Sequence, residues 1–203
     1  MSHLPRFSKL KSAAYSYVWS RDVEHLLPQH YKDRCIKFMT REPPAVHWQP
    51  ISGRWKIDPK SGQRIPVQNV PIRVIYPEES NKGLWGGEGI IQGLLKKKPQ
   101  TRRLPKLWMP YLQKRALYSE ILDKWFAITV TLRTLDQIDE ANGFDHYILK
   151  TDERDLNSKL AMDMKREMLL TLVRGTMYSD DTDKKQKIHN RYKEYMIPVS
   201  MFR

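Results

Sequence analysis

The chain has 203 residues, with 36 Lys and Arg against 23 Asp and Glu, for a formal net charge of +13. That length suits one compact domain, or a modest core with long arms, and excludes two large domains; a single cysteine, Cys35, excludes an intramolecular disulfide and a Cys-rich zinc site. The charge is segregated, because residues 1–115 hold 22 of the basic and 8 of the acidic residues and leave 14 basic and 15 acidic for the remainder, and so local an excess attracts a polyanion by releasing condensed counterions.

Before Asp22 the cations Arg6, Lys9, Lys11 and Arg21 stand among serines and aromatics without an acid. That composition fits a mitochondrial targeting segment and an ordinary basic arm equally well. From Arg41 to Pro77 the prolines at 43, 44, 50, 59, 66, 71 and 77 rule out a long helix and predict an extended, loop-rich arm. Within it, Trp55 to Ile57 and Ile65 to Val67 flank Pro59-Lys60-Ser61-Gly62 as a small hairpin. Val70 to Tyr76 reads as a short strand, which Pro71 assigns to a sheet edge. Too few apolar residues precede Leu84 for the arm to fold alone, so a partner is expected to order it.

Gly83-Leu84-Trp85-Gly86-Gly87-Glu88-Gly89 has the glycine content of a phosphate loop. It lacks both the Lys-Ser/Thr pair and the strand–turn–helix setting that such loops need, and it reads as a tight structural loop. The next stretch, Lys96 to Arg115, holds Lys96, Lys97, Lys98, Arg102, Arg103, Lys106, Lys114 and Arg115 with no acid, interleaved with Trp108 and Tyr111. The cations can neutralise phosphates, while flat aromatic and guanidinium groups can stack on unpaired bases. Pro99, Pro105 and Pro110 keep the run from being a helix face and predict a strand or loop laid along nucleic acid. Leu104, Leu107 and Leu112 are expected to anchor it to the core, and Trp108 reads equally as core or as stacking surface.

Phe126, Ile128, Val130 and Leu132 alternate with Ala127, Thr129, Thr131 and Arg133, which predicts a strand. Leu117 to Leu122 should pair with it through a turn at Asp123-Lys124. Thr134 and Gln137 have capping-box spacing, so Thr134 is expected to cap a short helix through Ala141 that Asn142-Gly143 ends, with Leu135 and Ile138 facing the sheet. Leu156, Leu160, Met164, Met168 and Leu172 predict a longer helix stopped by Gly175. After the acidic turn at 179–183, a last helix with Ile188, Tyr192 and Tyr195 on its apolar side should run to Met196. The fold class is therefore α+β: a small antiparallel β core with a short helix over 83–151, an irregular basic N-terminal arm over 1–82, and a helical C-terminal extension over 152–203. The weakly charged C-terminal helices are expected to meet a protein neighbour through apolar and mixed-charge faces.

The six histidines show no metal-binding helical pair, no serine sits in a nucleophile elbow, and Cys35 has no activating neighbour in sequence. Asp136, Asp139 and Glu140 read as a solvated helix surface. Neither enzymatic activity, cofactor, metal nor small-molecule substrate is expected. No run of about 18 apolar residues implies an integral membrane protein.

SEILDKWFAITVTLRTLDQIDEANGFDHYILKT, preceded by GLWGGEG and the basic RRLPKLWMPYL, closely resembles the mitochondrial branch of large-subunit ribosomal protein family twenty-eight. The resemblance covers Gly83 to Thr151, and HLLPQHY, PKSGQR and KEYMIP resemble mitochondrial additions to that core. It implies a non-enzymatic structural constituent of the large subunit in the mitochondrial matrix, bound to ribosomal RNA and neighbouring ribosomal proteins in support of translation. Arg102, Arg103, Lys106, Lys114, Arg115 and Arg133 match as RNA contacts. The paired zinc-binding cysteines of some bacterial members have no counterpart here. The charge and aromatics also suit a free mitochondrial RNA-processing or regulatory factor, or a scaffold subunit at an anionic inner membrane.

Overall fold

The computed structural model describes residues 25–43, 45–67, 69–98, 100–178 and 181–196. The basic segment before Asp22, with its two readings, lies outside them. In chain order the elements are α1 (Gln29–Thr40), β1 (Trp55–Ile57), β2 (Arg64–Pro66), β3 (Arg73–Ile75), β4 (Ile90–Leu95), β5 (Leu104–Trp108), β6 (Leu112–Ser119), β7 (Lys124–Thr131), α2 (Leu132–Glu140), α3 (Phe144–Lys150), α4 (Glu153–Leu156), α5 (Lys159–Arg174) and α6 (Thr182–Tyr192). All strand pairing between them is antiparallel: β1 with β2, β3 with β4 with β5, and β6 with β7. Small antiparallel sheets with six helices make the described chain an α+β fold.

The predicted hairpin at 55–67 forms, closed by Asp58, whose carboxylate accepts from the Lys60 amide at 3.2 Å and the Ser61 hydroxyl at 2.9 Å. The strand predicted over 70–76 is the shorter β3, and it stands at the sheet edge, as Pro71 required. The partner of β7 is longer and earlier than the alternation suggested. Leu112 pairs with Thr131 and Ser119 with Lys124, so residues 120–123 are the turn rather than strand. Asp123 takes φ +50 there, a left-handed conformation that an Asp side chain tolerates.

Helix α2 starts earlier than the capping-box spacing implied. Thr131, not Thr134, is the cap, and its Oγ1 accepts from the Thr134 amide at 3.3 Å. The Thr134 hydroxyl instead donates to the Leu84 carbonyl at 2.8 Å, which pulls the glycine-rich loop onto the helix. Asn142 and Gly143 end α2 at positive φ, and Ile138 turns into the core with Leu135 packed beside it. The periodic stretch ending at Gly175 is two helices: Asn157, at φ +29, breaks the chain after Leu156, and Ser158 caps α5. Gly175 closes α5 in the left-handed region, where glycine is favoured.

Two helices lie outside the sequence expectation. Helix α3 buries Phe144, Tyr147, Ile148 and Leu149, so it shows no alternating polar face to detect. Helix α1 places Tyr31, Cys35 and Phe38 in the same apolar cluster as Leu84, Val130, Leu156, Met168 and Tyr192. That one cluster crosses both expected boundaries, near 82 and near 151, and so joins all three segments. Arg34 fastens α1 to the end of α3, donating to the Leu149 carbonyl at 3.2 Å and pairing with Asp152 at 2.9 Å. The buried Lys165 ammonium donates to the Thr151 carbonyl at 2.9 Å. Both side chains donate to carbonyls at a helix C-terminus, where partial negative charge collects.

Candidate nucleic-acid interface

The acid-free stretch from Lys96 to Arg115 forms the loop of the β4–β5 hairpin, strand β5 and the beginning of β6. The hairpin loop is locked by Thr101: its hydroxyl donates to the Lys98 carbonyl at 2.9 Å and accepts from the Lys98 amide at 3.0 Å. Lys96, Lys97 and Lys98 leave β4 at this loop, and Arg102 and Arg103 return into β5, so five cations gather at one end of the hairpin. Lys106 stands within β5, while Tyr111 precedes β6 and Lys114 and Arg115 lie in its first half. All of these side chains are exposed, and among the described residues none of the eight cations in 96–115 forms an ion pair.

Leu104, Leu107 and Leu112 do not anchor the segment: they are 51%, 55% and 38% exposed, and β5 is open to solvent over its whole length. The reason is topological. Strand β5 is one of the two edge strands of its sheet, and the helices pack against β6–β7 and one another instead. Trp108, held open between two readings from sequence, is 38% exposed. Its ring has the Lys106 ammonium 5.4 Å from its centroid, and it lies over Gly93 of the neighbouring strand. Sequence reasoning missed Gly93, because only the strand register brings residues 93 and 106 opposite one another.

Arg133 differs from the other matched cations. Its Nε donates to the Gly86 carbonyl at 3.0 Å and its Nη2 pairs with Asp155 at 2.9 Å, which ties the glycine-rich loop to α4. That loop is buried: Gly86 and Gly87 turn at positive φ, and a Cβ on Gly87 would lie 2.6 Å from Val46 and 2.7 Å from the Arg154 carbonyl. Its glycines serve close packing, as the structural-loop reading expected.

The C-terminal helices, expected to meet a protein neighbour through apolar and mixed-charge faces, turn most of their large apolar side chains inward and leave Val173 of α5 39% exposed. Helix α5 spends Met164, Met168, Leu169 and Leu172 on the core, and α6 spends Ile188 and Tyr192. Exposed large apolar side chains instead concentrate between Ile51 and Leu112. A cavity of about 370 Å³ opens between the β6–β7 turn, the start of α3 and α6. Its polar groups serve structure: Glu120 pairs with Arg191, the Asp145 carboxylate accepts from the Ile121 amide at 2.9 Å, and His146 Nδ1 meets the Tyr195 hydroxyl at 3.1 Å. Burial raises the Asp145 pKa above the usual carboxylate value. Among the described residues no cluster of His, Cys, Asp and Glu could hold a metal ion, and no helix is long and apolar enough to cross a membrane.

No family model matches the chain. A Xenopus laevis protein named large ribosomal subunit protein bL28m is 50% identical to it over 177 residues, covering 85% of this chain and 69% of that protein. The Bos taurus protein of the same name is 49% identical over 176 residues, covering 85% and 68%. The Drosophila melanogaster protein is 38% identical over 175 residues, covering 86% and 58%. These similarities extend well past the stretch 83–151, and with identity near one half over more than two thirds of each vertebrate protein, the chain belongs to the bL28m family of large ribosomal subunit proteins.

Proposed function

We propose that the protein is a structural constituent of the mitochondrial large ribosomal subunit. In this reading it binds large-subunit ribosomal RNA in the matrix, contacts neighbouring ribosomal proteins, and carries out no reaction of its own. The observation that supports it most is the hairpin with eight exposed cations in its neighbourhood, no acid between Glu88 and Glu120, and no internal ion pair on those cations among the described residues. Unpaired cations clustered along one stretch of chain repel one another, and a phosphate backbone relieves that repulsion. Lys96, Lys97, Lys98, Arg102, Arg103, Lys106, Lys114 and Arg115 take the phosphate role, Trp108 and Tyr111 offer stacking surface, and Arg133 acts by holding the loop at 83–89 in place.

Replacing Arg102, Arg103 and Lys106 together by Ala is expected to weaken binding to ribosomal RNA fragments and to lower the slope of log K against log salt by about 2 to 3. An unchanged slope would remove the hairpin from the interface. Sedimentation separates this reading from that of a free RNA-processing factor: a subunit constituent stays with large particles at moderate salt, whereas a factor is released. Association that survives RNase would point to a membrane or protein scaffold instead.

A further inference from the structure

We propose that Gly93, Lys106 and Trp108, on one face of the β4–β5 hairpin, form a platform on which a single unpaired RNA base stacks. The proposal rests on the RNA-binding reading above and assigns the indole face to a base, while Lys106 beside it keeps its phosphate role.

The register puts Gly93 opposite Lys106 and Ile91 opposite Trp108, so these four residues share one sheet face. The indole reaches diagonally across to β4. A Cβ built on Gly93 would sit 2.9 Å from Cζ3 of Trp108 and 3.4 Å from Cη2, so the ring occupies the room that any other residue would fill. Glycine at 93 thus lets the ring lie down against the strand, which fixes its orientation before any ligand arrives. Fixing an aromatic in advance removes the ordering cost that a free rotamer adds to binding.

The platform remains partly open to solvent, and its surroundings restrict what can cover it. The Lys106 ammonium is 5.4 Å from the ring centroid, and the loop end of the same hairpin carries Lys96, Lys97, Lys98, Arg102 and Arg103. A partner for this surface needs a flat ring that matches the indole and negative charge that matches its surroundings. A nucleotide supplies both in one unit. The base must be unpaired, because duplex bases are stacked on their own neighbours and an A-form groove does not offer their faces.

The test uses the full-length protein and two probes with equal numbers of phosphates, a single-stranded oligouridylate and a fully paired RNA duplex. Trp108→Ala is expected to weaken oligouridylate binding about tenfold, to change duplex binding less than about twofold, and to leave the salt slope unaltered. Trp108→Phe should retain most of the single-strand affinity. Gly93→Ala should lose several-fold on the single strand alone, since its Cβ lifts the ring. Should Trp108→Ala fail to fold, fluorescence supplies the second measurement: oligouridylate quenches the intact protein more than it quenches Trp108→Phe. Equal losses on both probes, or no loss on either, would overturn the platform and assign the indole to sheet stability or to a protein neighbour. If the unaltered protein binds neither probe in a salt-dependent way, the RNA-binding reading itself fails, and the platform fails with it.

Discussion

Lys165 has no solvent-exposed surface, and burial, with the Arg34 guanidinium second, lowers its pKa from 10.5 to about 7. His30 is pushed down from 6.5 to about 4 by burial first, then by Arg34 and Lys165. In both, the unfolded chain holds a proton that the folded chain has released, over pH 7 to 10.5 for Lys165 and pH 4 to 6.5 for His30. Stability therefore rises with pH across each window. Urea unfolding at a series of pH values should show a shallower alkaline rise for Lys165→Met than for the unaltered protein, and a shallower acid loss for His30→Asn. Parallel curves for variant and parent would mean that these groups titrate alike in both states. Arg133, matched to an RNA contact by resemblance, is engaged within the chain by the Gly86 carbonyl and the Asp155 carboxylate.

Helix starts here depend on single oxygen acceptors whose settings differ. Asp181 caps α6 at the surface, accepting from the Lys184 amide at 3.0 Å, and Asp181→Ala should cost about 1 kcal/mol. Thr131 caps α2 from a buried position, where its hydroxyl also reaches the Trp85 carbonyl at 3.2 Å. Thr131→Val keeps the shape, loses both roles, and leaves buried polar groups without a partner, so its cost in thermal or urea unfolding should exceed that of Asp181→Ala, at about 2 to 3 kcal/mol. Equal costs would mean that water replaces the hydroxyl inside. The β4–β5 hairpin is the opposite kind of element. Its residues contribute little to the apolar cluster, so its amides should exchange with solvent faster than those of β7 or α5 when no RNA is present.

Across the whole molecule, α1 behaves as part of the core rather than of an arm. Tyr31 is almost fully buried, its hydroxyl faces the Met162 carbonyl at 3.5 Å, and burial raises its pKa. Tyr31→Ala should cost about 3 to 5 kcal/mol, as removal of a core aromatic does, and should lower the midpoint of one shared transition followed by far-UV dichroism and by tryptophan fluorescence. Two separated transitions would instead make α1 a dispensable addition. Charge organises the molecule in the same way as packing does. The compact cluster is built from α1, β7 and the helices that follow, while the unpaired cations of 96–115 stand on strands and loops that the cluster leaves uncovered.

Local patterns were readable because their causes are local. The alternation in β7, the Asn142-Gly143 stop and Gly175 each act within a few residues, and the acid-free run from 89 to 119 needs no fold to be counted. The spacing Leu27, Tyr31, Cys35 and Phe38 also carried a helical signal, obscured by the proline-rich stretch that follows it. By itself the sequence determined the α+β class, the segregation of charge and the position of the cationic segment. Only the tertiary structure decided that α1 completes the core, that Leu104 and Leu107 face solvent, that Arg133 bonds Gly86 and Asp155, and that Gly93 lies beneath Trp108. Each of those depends on which distant segment arrives alongside, and a one-dimensional pattern does not contain the register that sets it.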